Sequence, residues 1–211
     1  MAPQHKTPLP HFDEHETIIR PATVEDAHAI AMIHVASWRE TYTGLVPQAM
    51  LDKLSVEKRE TFWHQLLSSQ QTTEHPSPLS TDVPLLLTGM HVFVAEFIRG
   101  DHRLTVGFAC CSPQRDQTLL ESGYEGEVQA IYILRAYQKL GLGCRLMARM
   151  AESLHAQGTR RAALWVLESN RKARDFYESL GAKYVLQKAD QRGNITLTDY
   201  AYGWQDITIL M

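Results

Sequence analysis

The spacing of hydrophobic and polar positions changes along the chain and predicts the order of its elements. An apolar run that begins at Thr17 is typical of a strand, and apolar side chains then recur at helical spacing over about 27–40. Thr23 and Asp26 have the spacing of a capping box at the start of this first helix. A second helix is predicted over 55–69.

The middle of the chain favours strands and one long helix. Runs at 91–98 and 104–112 are joined by a glycine-containing link of hairpin length, which indicates an antiparallel pair. A third strand is expected at 127–134. The clearest helical pattern follows it, because its apolar side chains form one stripe. These side chains are Leu142, Leu146, Met147, Met150, Ala151 and Leu154.

The last third of the chain predicts a strand at 161–168, a short helix from Asn170 to a glycine cap at Gly181, and two further strands at 182–189 and 194–204. Strands and helices in this order require one mixed sheet with helices packed on its faces.

Length and charge limit the class of protein. The 211 residues, 44% hydrophobic, can bury the core of one domain, which we expect over 17–211, after a mobile arm at 1–16. A net charge of -3 is not the basic excess that attracts nucleic acid or a membrane surface, so neither partner is expected. Without a long apolar run or a signal-like start, the sequence predicts a cytoplasmic protein.

Cysteine and histidine give no sign of a metal site. Cys110, Cys111 and Cys144 form no C-x-x-C motif or Cys/His cluster, so we expect reduced, structural thiols and no metal. His34 lies on the apolar stripe of the first helix, and we interpret it as a packed or hydrogen-bonded core residue rather than a catalyst.

The stretch QKLGLG at 138–143 places two glycines between a strand and a helix. Such a turn directs backbone N–H groups and the positive end of the helix dipole to one spot that suits an anion. Gly141 and Gly143 would leave this backbone open to a phosphate. A Rossmann fingerprint would need a third glycine where Leu146 stands, so the pattern predicts a pyrophosphate cradle of another kind.

Together these segments resemble the GCN5-related N-acetyltransferase (GNAT) family. Its Gln/Arg-x-x-Gly-x-Gly/Ala acetyl-CoA loop is similar to IYILRAYQKLGLGCRLM, its second cofactor segment to LWVLESNRKARDFYESLGA, and the acceptor-side helices of many bacterial members to ASWRETYTGLVP. The likeness covers about residues 18–209 and is strongest over 127–181. It implies an α/β (α+β) fold with a mixed, mostly antiparallel central sheet, helices on both faces, and acetyl-CoA as co-substrate.

The resemblance also implies which residues contact acetyl-CoA. Backbone amides of the loop would bind the pyrophosphate, and a bulge in the fourth strand, over 131–133, would free backbone groups for the thioester, with the N–H of Ile133 as donor to its oxygen. The family uses Asn170 on the pantetheine arm, while the sequence alone also allows it to cap the short helix, and the two roles are compatible. The implied residues are Ile131, Tyr132, Ile133, Gln138, Lys139, Leu140, Gly141, Leu142, Gly143, Cys144, Asn170 and Ala173.

Two residues are candidates for proton transfer. Glu127, eleven residues before the loop glutamine, stands where some family members have a general base, but a carboxylate at a strand start can also be a solvated edge or a loop partner. His91 and Tyr132 are weaker alternatives for the base. Tyr177 matches the general acid that the family places beside the CoA sulfur, and its other interpretation is an aromatic residue of the core.

The acceptor is the least defined part. Trp38 and Tyr42 lie four residues apart and would either line the acceptor cleft or pack in the core. Without a basic excess, the sequence favours direct attack by a primary amine of a small molecule or peptide. Alternatives are a protein N-terminal or lysine acetyltransferase and a non-catalytic CoA-binding sensor module. Antiparallel edge strands are compatible with a homodimer.

Overall fold

A computed structural model describes residues 17–71, 89–192 and 195–211. Seven strands form one sheet in the order β1-β2-β3-β4-β5-β7-β6. The strands are β1 (Thr17–Pro21), β2 (His91–Arg99), β3 (His102–Pro113), β4 (Gly126–Ile133), β5 (Ala162–Leu167), β6 (Lys183–Arg192) and β7 (Ile195–Trp204). The helices are α1 (Ala27–Tyr42), α2 (Gln48–Leu51), α3 (Val56–Gln71), α4 (Gln117–Glu121), α5 (Leu142–Ala156) and α6 (Arg171–Ser179). The arm expected at 1–16 lies outside the described residues.

The sheet is mixed and mostly antiparallel, which confirms the predicted α/β (α+β) class. Its neighbouring strands pair antiparallel except β4 and β5, which run parallel. The hairpin between β2 and β3 is present as predicted. A parallel pair at the centre of an otherwise antiparallel sheet requires a crossover connection, and α5 provides it on one face.

Helices cover both faces of the sheet. α1 and α3 pack on one face, where Ile30, Trp63 and Leu66 join side chains of β2 and β3 in one buried cluster. α5 packs on the other face, and all six residues of its predicted apolar stripe are buried there. The strands that both layers share are β2, β3 and β4, because residues of each strand contact both clusters.

Short elements account for most of the differences from the sequence prediction. α2 and α4 have four and five residues, too few for a helical period to show in the sequence. α4 begins because the carboxylate of Asp116 accepts the backbone N–H groups of Thr118 and Leu119. The predicted capping box of Thr23 and Asp26 is present and starts a 3-10 turn that leads into α1.

The described residues contain neither a membrane-spanning helix nor a metal-binding cluster. Among the helices of 17–71, 89–192 and 195–211, none has both the length and the apolar character that a bilayer span requires. Within the same residues, no group of three or more His, Cys, Asp or Glu side chains is arranged to hold a metal ion.

Candidate active site

β4 and β5 separate soon after they begin. Their parallel pairing consists of two residue pairs and ends where Glu127 meets Ala163, although β4 stays paired with β3 as far as Ile133. The first three residues of β4 are buried, and every residue from Gln129 onward is only partly buried on either face of the sheet. An open space, which we call the β4–β5 groove, therefore begins at Gln129.

A bulge lies at the start of this groove. Cys110 and Cys111 are adjacent on β3 but pair with β4 residues on either side of Gln129, which leaves Gln129 as the extra residue. The sequence expectation of a bulge over 131–133 was wrong, because these three residues pair regularly with β3. The position of a bulge depends on the register with the partner strand, which the sequence of β4 alone does not contain.

Backbone groups nevertheless face the groove at the expected residues. The N–H of Leu134 donates to the carbonyl of Val106 at 2.9 Å. Antiparallel ladders alternate between residues that bond to the partner strand and residues that point away from it. The N–H and C=O groups of Ile131 and Ile133 therefore point away from β3 and toward the side where β5 has departed.

The glycine loop, residues 138–144, follows β4 and forms the start of α5. Gly141 is the N-cap with φ of 79°, a left-handed conformation that favours glycine, and it provides no capping side chain. The first N–H to bond within the helix is that of Arg145, which donates to Gly141 at 3.2 Å. The N–H groups of Leu142, Gly143 and Cys144 thus lack an intrahelical acceptor and can bind an anion.

The two glycines serve different purposes. A Cβ atom at Gly141 would meet nothing within 4 Å, so this side of the loop is open to a ligand. A Cβ atom at Gly143 would lie 3.0 Å from the ring of Phe176, so α6 packs against the loop there. Gly143 is therefore needed for the packing of α5 on α6, which the sequence interpretation did not foresee.

Two further residues hold the loop in shape. Lys139 has φ of 66° and is the one residue other than glycine with a positive φ in the described part of the chain. This conformation costs on the order of 1 kcal/mol for a residue with a Cβ atom. Gln138 folds back so that its Nε2 donates to the carbonyl of Ile133 at 3.0 Å, which fixes the loop to the end of β4.

Tyr177 lies in the core but keeps a free hydroxyl. Its ring packs against Phe176 and meets Trp204 edge-on. The hydroxyl has no hydrogen-bond partner within the described residues, and its oxygen is not completely shut off from solvent. Burial raises the pKa of Tyr177, with a smaller contribution from Tyr42. The phenol therefore stays protonated at neutral pH and can donate a proton.

Asn170 acts as the cap that the sequence allowed. Its Oδ1 accepts the backbone N–H of Ala173 at 3.3 Å at the start of α6, and its side chain is buried. The N–H of Ala173 is therefore occupied by this bond. The other side-chain group of Asn170, its amide NH₂, is the part with which it could contact a pantetheine arm.

Three aromatic side chains from α1 and β4 meet beside the groove, and we call them the acceptor wall: Trp38, Tyr42 and Tyr132. The Nε1 of Trp38 donates to the hydroxyl of Tyr132 at 3.0 Å, and the rings of Trp38 and Tyr42 lie 4.9 Å apart. Burial raises the pKa of Tyr132, and the neighbouring hydroxyls of Tyr42 and Tyr177 add to this rise. The wall and Tyr177 therefore approach each other from opposite sides of the sheet.

Glu127 is held in an ion pair at the closed end of the groove. Its two carboxylate oxygens accept from Arg115 at 2.7 and 2.9 Å, and the carboxylate is nearly buried. Its partner on β3, Ser112, lies three residues from Ala109, the partner of Ile131, which is about 10 Å along a strand. Sequence reasoning missed Arg115, because it lies in the loop after β3 and only the fold brings it to Glu127.

The two histidines raised by the sequence lie outside the reaction site. His91 sits near the far end of α5, where its Nε2 is 3.0 Å from the side-chain amide of Gln157. His34 is buried against Tyr132, with ring centroids 5.4 Å apart. Burial, with a contribution from Arg59, lowers the pKa of His34 to about 3, so it stays neutral, in line with a core residue.

In the described residues, one mixed sheet of seven strands splits at its parallel pair, β4 and β5. The open start of α5 lies beside this split. This arrangement is that of an acyltransferase-type α/β protein.

A model of the "Acetyltransferase (GNAT) family" matches residues 57–182. A Bacillus subtilis protein named "Uncharacterized N-acetyltransferase YuaI" is 31% identical over 192 residues, covering 91% of this chain and 95% of that protein. A Mycobacterium tuberculosis protein named "Probable N-acetyltransferase Rv2775" is 29% identical over 161 residues, 76% of each chain.

Solved structures agree on the fold. The PaiA N-acetyltransferase of Thermoplasma acidophilum, in complex with coenzyme A, has a TM-score of 0.64 at 17% identity and covers 89% of this chain and 97% of its own. An acetyltransferase of Salmonella typhimurium, solved with acetyl-CoA, has a TM-score of 0.60 at 19% identity, over 90% and 93% of the two chains. The chain belongs to the GNAT acetyltransferase family and is an N-acetyltransferase.

Proposed function

We propose that the protein transfers the acetyl group of acetyl-CoA to a primary amine of a small molecule or peptide by direct attack. The β4–β5 groove carries this proposal, because it joins free backbone groups on β4 to the open helix start at the glycine loop. Two structural neighbours were solved with CoA or acetyl-CoA, which supports the same ligand here.

The chain has the groups that this ligand needs. The N–H groups of Leu142, Gly143 and Cys144 would bind the pyrophosphate. Ile131 and Ile133 would bond to the pantetheine arm and the thioester, with the N–H of Ile133 donating to the carbonyl oxygen as negative charge develops on it. Loss of such a donor typically costs about 100-fold or more in rate.

Tyr177 would complete the reaction as general acid. The amine nitrogen attacks the thioester carbon, a C–N bond forms, the C–S bond breaks to leave a thiolate, and the nitrogen, positively charged after the attack, releases one proton to water. The hydroxyl of Tyr177 gives its proton to this sulfur. Its raised pKa keeps that proton in place until the thiolate forms, and the resulting phenolate takes up a proton from water before the next turnover.

The amine must lose a proton before it attacks, because an alkylammonium has a pKa of about 10.4 and no free electron pair. We propose Glu127 as the acceptor of this proton through ordered water. Glu127 lies about 10 Å from Ile131 along the strand, and Arg115 binds both oxygens of its carboxylate, so water would carry the proton between the amine and Glu127.

The acceptor wall would contact the carbon skeleton of the amine. Trp38 and Tyr42 are partly exposed and present ring faces and edges, which suit an apolar or aromatic flank. Aromatic faces also attract an alkylammonium before it is deprotonated.

Incubation with acetyl-CoA carrying a ¹³C-labelled acetyl group and a broad panel of amines, short peptides and intact proteins tests the proposal. Mass spectrometry should find at least one acceptor that carries the label, with one equivalent of free CoA thiol per product. Labelled products confined to intact proteins would favour the protein acetyltransferase instead. CoA binding without transfer to any amine would favour a sensor module and overturn the proposal.

A further inference from the structure

We propose that Glu40 is a positioning residue that couples the filling of the glycine loop to the geometry of the acceptor wall. This inference rests on the proposed function, because it takes the glycine loop as the binding site of the CoA pyrophosphate. It concerns two exposed residues, Glu40 on α1 and Arg135 after β4, that are 95 positions apart in the sequence.

Two hydrogen bonds join Glu40 and Arg135, and Arg135 donates both of them. The backbone N–H of Arg135 donates to the Glu40 carboxylate at 3.0 Å, and the Arg135 guanidinium donates to the Glu40 backbone carbonyl at 2.5 Å. That carbonyl is one of the last four of α1, for which the helix itself supplies no N–H donor. A cation is also favoured at this end of the helix dipole.

Arg135 is connected just as directly to the glycine loop. It begins a 3-10 turn, Arg135–Tyr137, and its carbonyl accepts the backbone N–H of Gln138 at 3.3 Å. Gln138 is the first residue of the loop and also bonds to the carbonyl of Ile133. Arg135 is thus the single residue between the Glu40 carboxylate and the loop that would bind the pyrophosphate: its N–H bonds to Glu40, and its C=O bonds to Gln138.

Glu40 is connected equally closely to the acceptor wall. Trp38 and Tyr42 lie two residues before and two residues after it, in the last turns of α1. Tyr132, the third member of the wall, is three residues before Arg135 and accepts from Trp38. A ligand that orders the 3-10 turn would therefore also order the end of α1 that presents the wall, although it touches no residue of α1.

Hydrogen exchange with CoA as the probe tests this coupling without knowledge of the acceptor. In the wild-type chain, saturating CoA should slow amide exchange in the glycine loop and also in residues 40–46. Glu40→Ala removes the carboxylate and keeps a strong helix former. This variant should still bind CoA, roughly two- to tenfold more weakly, but should lose at least half of the CoA-induced protection at 40–46.

Three comparisons make the result specific. Glu40→Gln keeps a side-chain oxygen for the Arg135 N–H and should restore the protection. Met32→Ala, at a half-exposed position earlier on α1, should leave the protection unchanged. If Glu40→Ala does not fold, Glu40→Met, which removes the same carboxylate and keeps a good helix former, should show the same loss.

The outcomes separate this inference from the proposed function. CoA that fails to bind the wild-type chain in calorimetry would defeat the proposed function itself. CoA that binds but protects only the glycine loop would overturn the coupling. Equal protection at 40–46 in the wild type and in Glu40→Ala, with faster exchange in both states of the variant, would make Glu40 a helix-stabilising residue only.

Discussion

At the scale of single residues, the hydroxyl groups of Tyr132 and Tyr177 differ in their hydrogen bonding. Tyr132 accepts from the indole N–H of Trp38, which can only donate, so its own proton is directed elsewhere. Tyr177 has a hydroxyl without a partner in the described chain and a raised pKa. Of the two, Tyr177 is the group that can lose its proton without breaking a bond inside the protein.

Tyr177→Phe should lower turnover by about 100-fold or more, because a general acid typically contributes 100- to 10,000-fold. CoA affinity and melting temperature should change little, since the ring keeps its contacts with Phe176 and Trp204. Steady-state kinetics, calorimetry and thermal unfolding measure the three quantities. Normal turnover with reduced stability would assign Tyr177 to the core alone.

Glu127→Gln should lower the rate and remove the ascending limb of the pH–rate profile, because it deletes the proton acceptor and keeps the shape. The matched variant is Arg115→Gln, which breaks the same ion pair but leaves the carboxylate. It should keep an ascending limb. If both variants retain the wild-type profile, Glu127 serves the ion pair and another group accepts the proton.

Packing between elements sets the shape of the glycine loop. α6 approaches α5 so closely at Gly143 that the ring of Phe176 occupies the place of a side chain. The same helix carries Tyr177, so the contact that shapes the loop also fixes the proposed general acid. The sequence pattern of two glycines predicted the turn, but the reason for the second glycine lies on an element more than thirty residues away.

Gly143→Ala should destabilise the protein by about 1–3 kcal/mol, because the new methyl group forces the Phe176 ring to move. Adding Phe176→Leu should recover much of this stability in thermal unfolding. CoA affinity, measured by calorimetry, should stay reduced in the double variant if the methyl group also narrows the approach to the backbone. Recovery of both quantities together would show that Gly143 matters for packing and not for the ligand.

Ion pairs of one arginine join β1 to the turn before α1 and to β2. Arg20 of β1 donates to Asp26 at 2.7 and 2.8 Å and to Glu96 of β2 at 2.6 Å. Burial alone would raise the pKa of Asp26, but the hydrogen bonds from Arg20 and Thr23 outweigh it and lower the pKa. The stabilisation is therefore present above the ordinary aspartate pKa and is lost as the pH falls below it.

Asp26→Asn should accordingly cost about 1–3 kcal/mol at neutral pH and flatten the loss of stability below about pH 4. Denaturant unfolding between pH 2 and pH 7 measures both effects. Asp101→Asn, at an exposed hairpin turn, is the control and should leave the curve unchanged. An Asp26→Asn curve parallel to the wild type would show that other carboxylates cause the acid sensitivity.

For the whole molecule, the sequence predicted what depends on local periodicity and left out what depends on register. The stripe of α5, the hairpin of β2 and β3 and the cap at Asn170 were visible as patterns. The bulge at Gln129 and the pairs Glu127–Arg115 and Glu40–Arg135 were not, because each joins segments that meet only after the sheet is assembled.

A crystal structure of the protein with acetyl-CoA would show where the thioester and its sulfur lie. We expect the pyrophosphate at the N–H groups of residues 142–144, the thioester oxygen about 3 Å from the N–H of Ile133, and the sulfur within hydrogen-bond reach of the Tyr177 hydroxyl. Acetyl-CoA bound outside the β4–β5 groove, or with its sulfur directed away from Tyr177, would contradict this expectation.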